Sequence, residues 1–359
     1  MAIGTGAKAR IQTLVQQLDI NLELSEALNA FLAEGLLGCE SEVFDQDCQT
    51  LNVPRSDYYG KRLLLELGLD ETEAEGVLSS GLLKVRELAA ADYESDPFIA
   101  RLGKLALRRG RYALARESFQ PLEGFLLTDV ISGSKEENYA TRTTLGYFSQ
   151  GYSFPVLLSG KRIWMSGTPY EVETMRGFLN RAHGRVLTLG LGLGYFACSA
   201  LLRDGVTSVT AVESAPEVID LFQQGIRPAM DGGQGLTIVR GDAFAYLEEH
   251  GREFDYIFAD LWHDEIDGLP MYVRLARIAR SHNLQLDCWI EPSILTYLRE
   301  CAIQALSLLA EKVQPTPEDG PVVRALVGYL RGKNLVSAGD VDRLLTDEAL
   351  RLCASELRI

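Results

Sequence analysis

A doubly wound, mostly parallel α/β sheet is the fold class this sequence predicts, and three observations predict it. An apolar strand runs straight into three alternating glycines, Arg185-Val-Leu-Thr-Leu-Gly-Leu-Gly-Leu-Gly-Tyr195, and the next residues, to about Arg203, read as a helix. Further β-branched or aromatic strands follow at 206–212, 236–239 and 254–259, each preceded by helical sequence. Each strand of this series ends on an acid or an acid-bearing turn: Glu213, then Gly241-Asp242-Ala243, then Asp260. Strands alternating with helices imply parallel βαβ units, and such sheets bind ligands outside the carboxyl ends of their strands.

In chain order, the first 120 or so residues read as helices. Apolar residues at spacings of three and four mark 9–18 and 25–37, and Asp70 with Glu73 has the form of a capping box opening the next helix. A structural or dimer-forming role is expected for this part, with a lid over the substrate as the alternative. Arg101, Lys104, Arg108, Arg109, Arg111 and Arg116 form a basic run whose leucines suggest an amphipathic helix with a solvated face. From 129 to 167 the composition turns aromatic and β-rich, with Tyr139, Tyr147, Phe148, Tyr152, Phe154 and Trp164. A small sheet is expected there, its aromatics serving mainly as core.

Glycine at Gly190, Gly192 and Gly194 would let the main chain approach a nucleotide where a Cβ would collide. Glu213 could accept hydrogen bonds from both ribose hydroxyls, and Asp242 stands where an adenine amino group could be bonded. The segment Gly192-x-Gly194-x-x-Ala197 also fits a dinucleotide fingerprint. Dinucleotide folds do not require the acid after the third strand or Phe-Asp-Tyr-Ile-x-x-Asp at the fourth, and this chain has both, which counts against NAD. A fifth strand is expected at about 284–290, then helices to the end of the chain, with a break at 337–340 and a last helix opening at Asp347.

The order of these motifs resembles the class I S-adenosylmethionine-dependent methyltransferases, and within them the spermidine-synthase-like branch. The resemblance covers roughly residues 153 to 291, and includes a hairpin around Ser159-Gly160 and a helix opening Tyr170-Glu-Val-Glu-Thr-Met175. It implies a Rossmann-like methyltransferase fold, with an N-terminal helical domain and a small β-hairpin region added. It further implies that Gly190, Gly192, Gly194, Glu213, Asp242, Ala243 and Asp260 hold S-adenosylmethionine or its decarboxylated form. Tyr170, Glu173, Trp262 and Asp264 would face the substrate. Three departures stand out. Thr188 replaces the acid that methyltransferases generally carry two residues before the first glycine, which agrees with the spermidine-synthase branch. Leu193 replaces that branch's turn aspartate, and Leu261-Trp-His-Asp264 replaces its Ser-Ser-Asp-Pro, so the fold is implied more firmly than the reaction. The closing antiparallel hairpin usual in this family is also not legible.

Composition sets outer bounds. At 359 residues and 47% hydrophobic the chain can bury substantial cores, and the expected division is 1–125 helical, 126–178 β-rich, 179–315 nucleotide-binding and 316–359 a helical tail. A net charge of −15 argues against a nucleic-acid surface. Without a long apolar run or signal core, a cytoplasmic location is expected. The six scattered cysteines form neither a metal pair nor a disulfide framework, and no metal is expected.

Between Glu253 and Pro270 stand six acids and no Lys or Arg, a mouth that would attract a cationic amine unless it is simply a solvated loop. Asp260 and His263 are the candidate proton acceptors, with a packing role beside Trp262 as the plainer alternative for His263. The expected function is methyl transfer from S-adenosylmethionine to a small substrate, with an amine among the candidates. The alternatives are spermidine-synthase-like aminopropyl transfer and binding without catalysis.

Overall fold

The structure is a computed structural model, and it describes residues 3–35, 37–230 and 235–359. Helices α1 (Thr5–Glu34), α2 (Ser41–Leu51), α3 (Arg55–Glu66) and α4 (Glu71–Ser80) open the chain. The spans expected at 9–18 and 25–37 are largely one continuous helix, α1, ended by Gly35 in the left-handed conformation; Leu36 lies outside the described residues. The Asp70–Glu73 capping box is formed, with Asp70 accepting from the Glu73 N–H and Glu73 from the Asp70 N–H.

Next come β1 (Leu83–Leu88), α5 (Ala90–Glu94), α6 (Pro97–Leu102), β2 (Arg108–Arg109), β3 (Tyr112–Phe119), β4 (Phe125–Leu126), β5 (Ile131–Ser132), β6 (Thr141–Phe148), β7 (Tyr152–Ser159), β8 (Arg162–Ser166) and α7 (Pro169–Arg181). Two expectations are corrected here. The first 120 residues are not all helical, because β1 and β3 interrupt them, and the basic run is not one helix. Helix α6 stops at Leu102, and Gly110 turns at φ +54° into β3. Alternation then wins over helical spacing: Tyr112 and Leu114 bury one face of β3 while its main chain pairs antiparallel with β7. Arg116 donates to the Gly103 carbonyl and to Ser153, so it braces the strand.

The remainder is β9 (Gly184–Leu189), α8 (Tyr195–Leu201), β10 (Val206–Glu213), α9 (Pro216–Leu221), β11 (Leu236–Arg240), α10 (Ala243–His250), β12 (Tyr256–Ala259), α11 (Glu265–His282), β13 (Asp287–Cys288), α12 (Glu291–Glu311), α13 (Gly320–Leu330), α14 (Ala338–Leu344) and α15 (Asp347–Glu356). Five strands form an all-parallel sheet in the order β11-β10-β9-β12-β13. The order reverses at β9, so β9 and β12 lie side by side at the switch point where ligands of open α/β sheets bind. The expected fifth strand is two residues long, and among the described residues only helices follow it. Burial on both faces explains the apolar strands: Val186, Leu187, Leu189, Phe258 and Ala259 have essentially no exposure.

Helix α1 packs against α12 and α14, tying the tail to the N-terminal part. Strands β2-β3-β7-β8 form a second sheet, and β6 pairs with β1, β4 and β5 in a third. Tyr139, Tyr147, Phe148, Tyr152 and Phe154 are buried, as core aromatics should be, and Tyr147 stacks on Tyr59 at 4.3 Å. Trp164 is the exception, because it faces the cavity described next. No helix among the described residues is long and apolar enough to cross a membrane.

Candidate functional site

A cavity of about 390 Å³ opens at the carboxyl ends of β9, β10 and β12. That lies within the range of roughly 300–1,000 Å³ common for small-molecule sites. Its floor is the glycine turn. Gly190 (φ +97°) packs so closely on the crossing chain that a Cβ would stand 2.0 Å from the Asp260 carbonyl oxygen. Gly192 (φ +56°) points instead toward the β7–β8 hairpin, where a Cβ would meet the Met165 sulfur at 2.7 Å. One glycine is therefore required by the joint between β9 and β12, the other by the close approach of Met165 of the hairpin to the turn.

Glu213 ends β10, and its carboxylate holds the turn. Oε2 accepts from the Leu191 N–H at 3.3 Å and Oε1 from the Ala215 N–H at 2.8 Å. Asp260 ends β12 deep in the cavity, where burial first and the charge of Glu213 second push its carboxyl up to about 7. Glu171, in the first turn of α7, stands close by. Burial and then the charge of Asp260 push it up to about 8, against the opposing effect of a hydrogen bond with Ser166. Glu171, Glu213, Asp260 and Asp267 line the cavity, and no Lys or Arg does among the described residues. Such a site attracts cations and strengthens hydrogen-bond donors.

Of the residues expected from sequence, Gly190, Gly192, Glu213, Asp260, Trp262 and His263 line this cavity. Gly194, the last glycine of the turn, precedes α8 at φ +88°. Trp262 is buried and donates its indole N–H to the Trp289 carbonyl, while His263 is exposed with its ring edge-on to Trp164 at 4.9 Å. Other expected residues lie outside the wall. Asp242 caps α10 by accepting from the Ala245 N–H, beside a buried Ala243. Asp264 caps α11 in a reciprocal box with Asp267. Glu173 accepts from the Tyr93 hydroxyl and pairs with Arg176, and Tyr170 faces a different cavity.

The acidic loop is likewise divided in its work. Glu253 bonds His250, and hydrogen bonds from Arg185 hold Asp255 below the usual carboxylate range. Asp260 and Asp267 are the two of its acids that reach the cavity.

Sequence reasoning missed Glu171, Met165, Ser166 and Trp289. The signal for Glu171 was its spacing. Four residues on, Met175 lies on the same helical face and also lines the cavity, whereas Glu173 lies on the opposite face. The aromatic hairpin ending Trp164-Met-Ser166 was legible as a hairpin, but its packing over the glycine turn was not. Trp289 follows β13 and is locked by an indole hydrogen bond to the Thr174 hydroxyl at 2.9 Å.

The structure is similar in part to solved structures of adenosylmethionine-related enzymes. A Streptococcus mutans protein assigned as an S-adenosylmethionine-dependent methyltransferase matches at 22% identity and TM-score 0.26, over 36% of this chain and 35% of that one. Spermidine synthase from Thermotoga maritima matches at 16% and 0.31, over 45% and 57%. A protein assigned as a methyltransferase, complexed with S-adenosylhomocysteine, matches at 21% and 0.25, over 36% and 36%. The matched region thus spans between about a third and three fifths of those chains. Likenesses at these scores carry no weight for the reaction, which has to be read from the cavity. No protein-family profile matches the chain, and no curated protein matches it in sequence.

Proposed function

We propose that the cavity binds S-adenosylmethionine and that the chain transfers its methyl group to a small, amine-bearing acceptor. One observation carries this reading: an acidic cavity with four carboxyl groups and, among the described residues, no Lys or Arg in its wall, set behind a glycine turn at the switch point of a parallel sheet. In the same reading residues 179–315 form the nucleotide-binding unit, with helices doubly wound on both faces of the sheet.

Adenosylmethionine, when bound, supplies an electrophilic carbon on a cationic sulfonium. The residues fit that group. The turn from Gly190 to Gly194 would lie main-chain first against the nucleoside, and Glu213, at the end of the second parallel strand, would take the ribose hydroxyls. A sulfonium would face carboxylates instead of competing cations. Asp260 would accept a proton from the acceptor nitrogen. With its carboxyl near 7 it is matched to proton transfer at neutral pH, where a general base works best. Holding the acceptor in line could supply roughly 7–11 kcal/mol in the best-oriented cases.

Aminopropyl transfer is the second reading, and the same wall favours it in one respect. The carboxylate of adenosylmethionine finds no Lys or Arg there among the described residues, and the decarboxylated form lacks that carboxylate. Calorimetric titration with adenosylmethionine, its decarboxylated form and methylthioadenosine separates the readings. Preference for the first supports methyl transfer, and preference for the second supports aminopropyl transfer. Binding by none of the three refutes both. All three tryptophans of the chain, Trp164, Trp262 and Trp289, line the cavity, so their fluorescence gives a parallel readout.

A further inference from the structure

Besides the cavity at the sheet and the one that Tyr170 faces, a third, of about 120 Å³, lies in the helical tail between α12, α13, α14 and α15. The helical repeat builds its wall. Ala302 and Leu306 of α12, Leu326 and Leu330 of α13, and Leu350 and Cys353 of α15 stand three or four residues apart, so each pair shares one face of its helix. Leu344 and Leu345 at the end of α14, with Ala349 and the half-exposed Leu352 of α15, complete the apolar part.

Three polar side chains reach this cavity among the described residues: Cys353, Tyr329 and Lys333. Burial, and then the charge of Glu356, push the Cys353 thiol up to about 12 against the opposing charge of Lys333, so it stays neutral and packs as a small apolar group. Lys333 is half-buried, with its Nζ over the Tyr329 ring at 4.5 Å from the centroid. It forms no ion pair among the described residues. Glu356, an acid close enough to feel its charge, is paired with Arg280 at 2.6 Å. The wall thus carries one cation and, among the described residues, no Asp or Glu.

Protein interiors are close-packed, and voids larger than a water are few. A buried water needs several polar partners, which a leucine wall does not offer; the Leu345 carbonyl is already taken by the Arg299 Nε–H at 2.8 Å. Apolar cavities of about 150 Å³ stay dry and take up small apolar molecules instead. At about 30 Å³ for each water in the liquid, this void matches roughly four waters, or an alkyl chain of about five carbons. An alkane would leave the Lys333 charge without a counter-ion, and an amine would be repelled by it. A carboxylate on the end of the chain satisfies both the leucines and the lysine.

We propose that the tail cavity binds an alkyl monocarboxylate of about six carbons, its chain among the leucines and its carboxylate on Lys333. The inference goes beyond the transferase reading, uses none of the residues of the first cavity, and stands whether or not adenosylmethionine binds there.

The test is calorimetry of the full chain with sodium hexanoate at neutral pH and constant ionic strength. Saturable binding is expected, roughly fifteenfold weaker for butanoate, which has two methylenes fewer. Lys333→Met, which keeps the length of the side chain without its charge, should weaken hexanoate tenfold or more. Ala302→Leu, which fills the void from α12, should abolish binding, and hexanoate should raise the melting temperature of the parent but not of this variant. Circular dichroism verifies the fold of each variant, and Lys333→Met, at a half-exposed position, keeps the test open should Ala302→Leu not fold. The proposal is overturned if hexanoate does not bind, if hexan-1-ol or butanoate binds equally well, or if a folded Lys333→Met or Ala302→Leu binds hexanoate as the parent does. If adenosylmethionine fails to bind while the hexanoate result holds, the transferase reading falls and this one remains.

Discussion

Replacing Glu171 with glutamine should stabilise the protein, and increasingly so as the pH rises. Its carboxyl stands in the first turn of α7, where the helix dipole favours negative charge by about 0.3–1 kcal/mol. Burial and Asp260 nevertheless hold it near 8 in the folded chain, against an ordinary 4.5. The folded state therefore keeps a proton that the unfolded chain releases, and stability falls as pH rises from about 4.5 to about 8. At 1.36 kcal/mol per pH unit, that loss is on the order of 3 kcal/mol at pH 7 and 5 kcal/mol above pH 8 as upper bounds, several times the dipole effect. Glutamine has no proton to lose, so Glu171→Gln should escape this slope. Urea unfolding followed by tryptophan fluorescence between pH 4.5 and 9 would show the parent and the variant diverging with pH. Parallel curves across that range would refute the assignment of Glu171 as a buried, uncompensated acid.

Four further outcomes follow from the site. Asp260→Asn should leave adenosylmethionine affinity nearly unchanged while turnover falls roughly 100- to 10,000-fold; normal turnover with an identified acceptor would remove Asp260 from proton transfer. Binding of a sulfonium at pH 7 should release a proton from Glu171, read as a dependence of the calorimetric enthalpy on buffer ionisation heat, and buffer-independent enthalpies would contradict it. Glu213→Ala should weaken the nucleoside by roughly 1–3 kcal/mol, since it also frees the Leu191 and Ala215 amides, and an unchanged dissociation constant would exclude it from the site. Gly190→Ala should unfold at markedly lower urea because its Cβ would meet the Asp260 carbonyl, whereas Gly192→Ala, meeting a flexible methionine, should stay folded and bind nucleoside poorly; the reverse pattern would invert their roles.

Much of the sheet was legible because its signals are local. An apolar run before glycines, a β-branched run ending on an acid and a capping box each depend on a few neighbouring residues, and β9, β10, β12 and the Asp70 cap stand where the pattern puts them. The basic run shows the limit of such patterns. Its arginines suit a helix, yet β7 offered Tyr112–Phe119 a full antiparallel ladder, and pairing across some forty residues decided the matter.

The sequence by itself determined which residues could carry chemistry: the glycine turn, the acids at the strand ends and the excess of carboxylates. Only the tertiary structure decided which of them meet. Glu171 and Glu173 are two residues apart on one helix, hence on opposite faces, and the packing of α7 sends the first to Asp260 and the second to Tyr93. Tyr170 and Glu265 were drawn to a second cavity by the same packing, since α1 and α12 close over them from distant parts of the chain. A side chain's chemistry is written in its residue type, but its desolvation and its neighbours' charges are set by contacts far away in sequence, and those contacts put Asp260 near 7 and Glu171 near 8.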